Sequence, residues 1–357
     1  MKTIEIKLPF KLKKAVLALG SQTKNTVCFA KDNKVWISPV QKDLSAPKDL
    51  SAFEKEAEYF LKKKPEVIAC DLHHEYQSTR LALSLSPKYR LASVQHHHAH
   101  IASCMAENGL KNQKVIGVAF DGTGLGADNT IWGAEFLLCD YNKFSRRAHL
   151  KEIPLVGGER AILEPARVAC AWLNFDQSLD KKQILKKIYL SGINSPLASS
   201  MGRLFDAAAS LILGRKKTSF EAELAIELEN LAAKSNLKNL NYKFRIIKTK
   251  GGYILDPSGI FRGIVRDLKA KKPEENIAGS FHKSVADVIA RACSILKKES
   301  GVNKVILTGG VFQNKLLLKM SLDLLHKKGF KVFTHRYLSC NDSGISLGQA
   351  VIAGHRG

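Results

Sequence analysis

Short apolar runs alternate with amphipathic stretches along the first hundred residues, and this alternation predicts a mixed α/β structure. Runs of four to six apolar residues predict buried strands, and apolar positions recurring every three to four residues predict helices. The predicted strands lie at 15–20, 26–30, 34–38, 67–71 and 90–94. The predicted helices lie at 53–64 and 75–85, and a third begins after residue 94 and stops near Asn108-Gly109. A glycine turn starting at Gly20 follows the first strand.

The same order returns in the second part of the chain. Strands are predicted at 115–120, 130–139, 144–153, 304–308 and 331–335, and a hairpin at 242–255 is centred on Gly251-Gly252. The first of these strands again ends in a glycine turn, Asp121-Gly122-Thr123-Gly124. Helices are predicted to start near 164 and 199, and to run over 279–298, 312–328 and 343–353.

This duplication predicts an α/β fold of the two-lobed actin/sugar-kinase/heat-shock ATPase-like (ASKHA) type, in which duplicated mixed-sheet lobes flank a nucleotide cleft. Glycine turns let backbone N–H groups approach phosphate. We expect a lead-in segment at 1–13, a first lobe at 14–113, a second lobe with helical insertions at 114–341, and a closing helix at 342–357 that packs back towards the first lobe. A doubly wound Rossmann fold would need G-x-G-x-x-G after the first strand, where this chain has Gly20-Ser21-Gln22-Thr23-Lys24.

Composition narrows the class of partner. The 357 residues are 45% hydrophobic and carry a formal net charge of +23, which fits either an acidic partner or a lysine-rich solvated surface. The lysines occur as scattered pairs and triplets without interleaved aromatics, which favours the solvated surface, so we expect no nucleic-acid partner. Seven single cysteines without a C-x-x-C pair indicate reduced thiols in the cytoplasm, and no apolar run is long enough to span a bilayer.

A cluster of histidines, Val94-Gln95-His96-His97-His98-Ala99-His100, is the clearest candidate for chemistry. In a helix, His96 and His100 lie one turn apart on one face, where two imidazoles can reach one metal ion. A histidine-rich helix start with satisfied hydrogen bonds would give the same pattern. Spacing alone leaves both interpretations open.

Several motifs together resemble one family from about Leu8 to the end of the chain. They are Leu17-Ala18-Leu19-Gly20, Lys24-Asn25-Thr26, Cys70-Asp71-Leu72-His73, Ser78-Thr79-Arg80, the histidine cluster, Phe120-Asp121-Gly122, Ile131-Trp132-Gly133, Ser199-Ser200-Met201-Gly202-Arg203-Leu204-Phe205-Asp206, Gly309-Gly310-Val311-Phe312-Gln313-Asn314, Asn341-Asp342-Ser343-Gly344 and Ser346-Leu347-Gly348-Gln349-Ala350. The set resembles the C-terminal (Kae/TsaD-like) carbamoyltransferase domain of the hydrogenase maturation proteins HypF. It is more distantly similar to the tRNA threonylcarbamoyl transferases.

The resemblance implies a catalytic site that holds a divalent metal ion, iron or zinc with magnesium as an alternative. Its implied ligands, which are also the implied catalytic residues, are His96, His100, Asp121 and Asp342. Taken alone, Asp121 also fits a turn-forming aspartate, and Asp342 also fits the N-cap of the closing helix.

The resemblance also implies a site for ATP or carbamoyl-adenylate. Gly122 and Thr123 would face the phosphate, and Asp206 would face the ribose. The nucleoside would lie against Gly309, Gly310 and Asn314. The implied site also includes Lys24, Gly202 and Glu221. Glu221 is followed by Ala222-Glu223, where the family has Gly-Gln.

The implied reaction transfers a carbamoyl group from carbamoyl-adenylate to the C-terminal cysteine of HypE, on the way to the cyanide ligand of nickel–iron hydrogenase. The implied partners are HypE and the acylphosphatase, zinc-finger and YrdC-like domains of HypF. Those domains do not fit into the residues before 14, so we expect an excised domain or a stand-alone protein. The alternatives are a tRNA threonylcarbamoyl-type transferase and a non-catalytic docking domain.

Overall fold

Two mixed sheets organise the computed structural model, which describes residues 3–173, 182–236 and 242–356. The strands are β1 (Ile4–Lys7), β2 (Val16–Ala18), β3 (Thr23–Asn25), β4 (Cys28–Lys31), β5 (Lys34–Ile37), β6 (Gln41–Asp43), β7 (Val67–Asp71), β8 (Arg90–Val94), β9 (Val115–Leu125), β10 (Ile131–Cys139), β11 (Phe144–Leu150), β12 (Ile153–Pro154), β13 (Leu197–Ser200), β14 (Arg245–Thr249), β15 (Gly252–Asp256), β16 (Lys304–Thr308) and β17 (Lys331–Phe333).

The helices lie between and after these strands. They are α1 (Pro47–Leu61), α2 (Gln77–Leu85), α3 (His96–Glu107), α4 (Arg160–Leu163), α5 (Ala166–Trp172), α6 (Lys182–Ser191), α7 (Met201–Ile212), α8 (Glu223–Ala232), α9 (Ser258–Lys269), α10 (Glu274–Ser300), α11 (Lys315–Lys327) and α12 (Ile345–Arg356), with 3-10 turns at Gly310–Gln313 and Asp342–Gly344. Among the described residues, none of the helices combines the length and the apolar character that crossing a bilayer requires.

The two sheets share one topology. The first has the order β1-β5-β4-β2-β7-β8, and the second contains β11-β10-β9-β16-β17 in its path. In the first sheet β5, β4 and β2 are antiparallel and β2, β7 and β8 are parallel. In the second, β11, β10 and β9 are antiparallel and β9, β16 and β17 are parallel. This repeat of strand order and direction confirms the predicted two-lobed ASKHA-like architecture.

Strand β2, in the interior of the first sheet, is buried on both faces, as expected for a strand in a covered sheet. Successive side chains point to opposite faces. Leu17 therefore packs with the hydrophobic cluster that contains Phe53 and Phe60 of α1, while Val16 packs with the cluster that contains residues of α3 and α12. Each face has its own apolar layer, which explains the unbroken apolar run in the sequence.

Helices α3 and α12 meet where the two lobes join. Helix α3 follows β8 of the first sheet, and α12 follows β17 of the second. A Cβ atom at Gly348 would lie only 1.8 Å from the carbonyl oxygen of Ala99, so the two backbones can approach this closely only because residue 348 is glycine. This close packing brings the histidines of α3 beside the segment that precedes α12.

The N-terminal residues correct one sequence-based expectation. The described part of the segment 1–13, which starts at residue 3, belongs to the first lobe: β1 pairs with β5, and Ile6, Leu8 and Leu12 are buried in a hydrophobic cluster that also contains α12 residues. Residues 1 and 2 lie outside the described part. The alternation Ile4-Glu5-Ile6-Lys7-Leu8 is typical of a strand, and the sequence analysis did not use it.

Candidate metal and nucleotide site

Helix α3 starts at the first histidine of the cluster. The Gln95 side chain accepts a hydrogen bond from the His98 backbone N–H at 2.9 Å and so caps the helix. The ring centroids of His96 and His100 lie 5.0 Å apart. His98 turns away, with its Nε2 2.7 Å from the Asp140 carbonyl oxygen, and His97 Nδ1 lies 3.1 Å from Gln95 Nε2. The predicted pairing of His96 with His100 on one helical face is confirmed.

Asp121 and Asp342 meet these two imidazoles from the second half of the chain. Nε2 of His100 lies 2.9 Å from Oδ2 of Asp121 and 3.6 Å from Oδ1 of Asp342. Nε2 of His96 lies 3.5 Å and 3.7 Å from the same two oxygens. One donor atom from each of the four residues lies within 4.8 Å of the others. The structure therefore brings together all four residues that the family resemblance implies as ligands.

The simpler roles of the two aspartates do not account for their positions. Asp121 lies within β9, and its Oδ1 accepts hydrogen bonds from the N–H groups of Gly122 and Gly310 while Oδ2 faces His100. The capping role next to Asp342 falls to Asn341, whose side chain accepts a hydrogen bond from the Ser343 N–H. Oδ2 of Asp121 and Oδ1 of Asp342 are thus directed at the imidazoles of His96 and His100.

The four donors fit a divalent metal ion. Zinc–nitrogen and zinc–oxygen bonds of about 2.0–2.2 Å place tetrahedral ligands roughly 3.3–3.6 Å apart. The separations between the imidazole nitrogens and carboxylate oxygens, 2.9 to 3.7 Å, lie around that range. Nε2 of His96 is buried and has no hydrogen-bond partner. Two imidazoles with two carboxylates suit zinc or iron.

Electrostatics at the site also favour a cation. Burial alone would lower the pKa of His96, but the carboxylates of Asp71, Asp342 and Asp121 raise it well above its usual value. Burial would raise the pKa of both site aspartates; the two imidazoles instead hold that of Asp121 well below its usual range and lower that of Asp342 to about 2. Protons on the imidazoles compensate the carboxylates, and a bound ion would take the place of those protons.

Asp71 is a member of this site that the sequence analysis did not identify. Its Oδ2 lies 2.8 Å from Nδ1 of His96, and both side chains are fully buried. The parallel register of β7 and β8 pairs Asp71 with Val94, which places the carboxylate beside the start of α3. In the sequence, Asp71 is an aspartate at the end of a buried strand within one of the resemblance motifs, and only the strand pairing shows that it lies beside His96.

A cavity of about 410 Å³ adjoins the four donors and shares Asp121 with them. Its volume lies in the range of small-molecule sites. Predicted nucleotide residues supply seven of its lining positions: Lys24, Gly122, Gly202, Asp206, Glu221, Gly310 and Asn314. Lys24 comes from β3 in the first lobe and the others come from the second, so both halves of the chain contribute.

Two predicted nucleotide residues do not line this cavity. Thr123 is exposed on β9. Gly309 lies behind the cavity with φ +96°, and a Cβ there would lie 2.2 Å from the Phe120 carbonyl oxygen. Gly309 therefore allows the strands to approach each other, and the predicted nucleoside contact has no support in its position.

The cavity wall contains a buried arginine, Arg203, to which the sequence analysis gave no role. Nη2 of Arg203 lies 3.0 Å from Oδ2 of Asp206 and 3.3 Å from Oε1 of Glu221. Burial raises the pKa of Asp206, Arg203 lowers it, and Glu221 raises it further. Nε and Nη1 of Arg203 are buried without hydrogen-bond partners, so Asp206 and Glu221 satisfy this guanidinium only in part.

Asn314 is held in place from two sides. Its Oδ1 accepts a hydrogen bond from the Leu317 N–H at 2.8 Å and caps α11, and its Nδ2 lies 2.9 Å from Nε2 of His282. Nδ1 of His282 lies 2.9 Å from the Ala278 carbonyl oxygen. His282 must therefore donate through Nδ1 and accept through Nε2, which requires the neutral imidazole.

Ala222 keeps a backbone conformation suited to glycine. It has φ +65° and ψ +6° at the start of α8 and lines the cavity beside Glu221. Left-handed conformations are common only for glycine, asparagine and aspartate. The departure from the family's Glu-Gly-Gln pattern therefore leaves the turn intact and adds local strain.

Comparison with known proteins gives one consistent relationship. Residues 11–107 match the model of the HypF Kae1-like domain, and residues 117–349 match the model of the carbamoyltransferase Kae1-like domain, second subdomain. The chain is 34% identical to carbamoyltransferase HypF of Synechocystis, with 96% of this chain and 48% of that protein covered. It is also 34% identical to the carbamoyltransferase HypF homolog of Cupriavidus necator, with 95% and 91% covered.

A solved structure agrees with this relationship. The crystal structure of a full-length HypF in its phosphate- and nucleotide-bound form superposes with a TM-score of 0.92 at 41% identity, covering 98% of this chain and 56% of that one. The chain thus spans about half the length of most of the curated relatives it matches, whereas the Cupriavidus homolog has nearly the same extent.

Proposed function

This chain belongs to the HypF carbamoyltransferase family, and from that premise we propose that it transfers a carbamoyl group from carbamoyl-adenylate to the C-terminal cysteine of HypE. The product would serve the synthesis of the cyanide ligand of nickel–iron hydrogenase. The observation that carries the proposal is the convergence of His96, His100, Asp121 and Asp342 at the end of a nucleotide-sized cavity.

The chain's own residues would bind and orient the adenylate. Asp206 would accept hydrogen bonds from the ribose hydroxyls, and Gly122 and Gly310, which carry no side chain, would let the phosphate approach Asp121. Arg203 lines the cavity, and its positive charge would attract an anionic oxygen of the ligand. Each of these groups faces the same cavity, so the carbamoyl end of the ligand would be directed at the two histidines.

The residues that would hold the ion are His96, His100, Asp121 and Asp342. A divalent ion bound there would polarise a carbonyl or phosphate oxygen of the ligand and make the carbamoyl carbon more electrophilic. Asp71 would keep the His96 ring oriented through its hydrogen bond with Nδ1. The cysteine thiolate of HypE would attack the carbamoyl carbon, and the bond to the phosphate oxygen would break with release of AMP.

The test supplies carbamoyl-adenylate and HypE to the purified chain and measures the mass of HypE. We expect an increase of one carbamoyl group on its last cysteine. His96→Ala and His100→Ala should each abolish the increase, because each removes one nitrogen donor. His98→Ala is the matched control, since His98 is buried in the same helix but bonds to Asp140 instead of facing the site.

Three outcomes would contradict the proposal. Full carbamoyl transfer by His96→Ala or by His100→Ala would show that the histidines are not needed for the reaction. Carbamoylation of tRNA in place of HypE would indicate the tRNA-directed alternative. Absence of AMP and ATP binding in calorimetry, with and without added metal, would indicate a docking domain.

A further inference from the structure

We propose that Cys104, Glu107 and His335 form a second metal site, which takes a thiophilic divalent ion such as Zn²⁺ and fixes the segment leading to Asp342 against α3. This site is distinct from the four-residue site and contains sulfur. It does not depend on the proposed carbamoyl transfer.

The three side chains form a compact buried cluster. Sγ of Cys104, a carboxylate oxygen of Glu107 and a ring nitrogen of His335 all lie within 4.8 Å of one another. The side chain of Glu107 is fully buried, and that of His335 is 4% exposed. Cysteine, histidine and glutamate are the donor types that bind zinc in proteins.

Two donor atoms of the cluster lack hydrogen-bond partners. Oε1 of Glu107 and Nδ1 of His335 lie 2.5 Å apart as a buried ion pair, and neither atom makes a hydrogen bond. Buried polar atoms without a hydrogen bond are rare in protein interiors. An ion between them would satisfy both and widen their separation towards the roughly 3.3 Å edge of a tetrahedral site.

The remaining atoms of the same side chains are anchored as in known metal sites, where outer contacts orient the ligands. Oε2 of Glu107 accepts hydrogen bonds from the backbone N–H groups of Tyr337 and Leu338 at 3.0 and 3.1 Å. Nε2 of His335 lies 2.8 Å from Oγ1 of Thr308. These contacts leave Oε1 of Glu107 and Nδ1 of His335 facing each other.

Zinc deprotonates thiols that coordinate it, so an ion at this cluster would convert the buried Cys104 thiol into a thiolate.

The position of the cluster along α3 suggests its purpose. The ligands of both sites that come from α3 lie along one face of this helix, because they are spaced at intervals of four, four and three residues. They are His96, His100, Cys104 and Glu107. The segment 335–342 runs beside that face and supplies His335 at one end and Asp342 at the other. An ion at the second site would therefore hold Asp342 at the first.

The test uses the whole chain produced in cobalt-supplemented medium, because the site is closed and must fill as the chain folds. A thiolate bound to Co²⁺ gives a charge-transfer absorption in the near ultraviolet, which two histidines and two aspartates cannot give. We expect this band in the unaltered chain and about two equivalents of cobalt. Cys104→Ser should abolish the band, and His335→Gln should lower the metal content to about one equivalent.

Cys139→Ser is the matched control, because Cys139 is equally buried in β10 and outside the cluster; it should retain the band. If Cys104→Ser does not fold, zinc X-ray absorption of the unaltered chain replaces it, with sulfur at about 2.3 Å expected. The proposal is wrong if the unaltered chain shows no thiolate band, if its zinc has only nitrogen and oxygen neighbours, or if folded Cys104→Ser keeps the full band.

Discussion

Oδ2 of Asp71 accepts a hydrogen bond from Nδ1 of His96 at 2.8 Å in a fully buried pair. This bond determines which nitrogen of His96 faces the candidate metal site. With Nδ1–H donating to Asp71, Nε2 is the nitrogen that faces Asp121 and Asp342, 3.5 and 3.7 Å away, and it would bind an ion in place of its proton. Histidine ligands in metal sites commonly have such a carboxylate partner.

Asp71→Asn should weaken metal binding at the four-residue site by about 10- to 100-fold, since the amide no longer increases the basicity of the imidazole. Competition with a chromophoric chelator measures the affinity. Asp287→Asn, which changes a surface aspartate paired with Arg291, is the control and should bind metal as the unaltered chain does. Equal affinities for Asp71→Asn and the control would exclude the orienting role.

Asp206→Asn should lower the affinity for AMP about tenfold or more, because a hydrogen bond to a charged acceptor contributes about 1.5–3 kcal/mol. Calorimetry measures the dissociation constant. Glu227→Gln removes a carboxylate that pairs with Arg215 outside the cavity and should leave AMP binding unchanged. AMP binding by Asp206→Asn at the original affinity would place the ribose elsewhere.

His282 should make the chain less stable in mild acid. Burial lowers the pKa of His282 to about 4, against 6.5 when exposed. Between those values the unfolded chain takes up a proton that the folded chain does not, so stability is present above about pH 6.5 and falls as the pH decreases towards 4. From pH 7 to pH 5 the loss is about 2 kcal/mol for this residue.

Urea unfolding at the two pH values measures this loss. His282→Gln keeps a group that can bond to Asn314 but does not titrate. Between pH 7 and pH 5, the free energy of unfolding of this variant should therefore fall by about 2 kcal/mol less than that of the unaltered chain. His326→Gln changes an exposed histidine of α11 and should follow the unaltered chain. An identical pH dependence for all three chains would show that His282 does not contribute.

Ala222→Gly should stabilise the chain by about 0.5 kcal/mol. Glycine removes the penalty of roughly 1 kcal/mol or more for φ +65°, and the greater freedom of glycine in the unfolded chain offsets part of the gain. Ala225→Gly, in the first turns of the same helix, should instead destabilise by about 1 kcal/mol. Thermal unfolding distinguishes the two, and destabilisation by Ala222→Gly would contradict the proposed strain.

Short-range pattern predicted those parts of the site that lie within one element. The helical repeat alone was enough to predict that His96 and His100 lie on one face of a helix. The duplicated order of strands predicted the two lobes. Asp71 was missed because its distance to His96 depends on the register of β7 with β8, which no local pattern encodes. Arg203 was given no role because its place in the cavity wall becomes apparent only once Asp206 and Glu221 are placed.

The N-terminal strand and Gly309 show a second limit of the sequence. Ile6 is buried because it pairs with Val35 of β5, and the short alternation at 4–8 does not specify that partner. Gly309 looked like a nucleotide contact because a glycine pair follows a strand, yet its neighbour in space is the Phe120 carbonyl. In both cases the deciding contact comes from a residue distant in the sequence.

The most direct measurement is an anomalous difference map from crystals of the chain grown with AMP and either Zn²⁺ or Fe²⁺. The account predicts a peak about 2.0–2.2 Å from Nε2 of His96, Nε2 of His100 and the facing oxygens of Asp121 and Asp342. It also predicts AMP in the adjoining cavity, with its ribose against Asp206. A map without a peak between these four side chains, or with AMP bound at another surface, would contradict it.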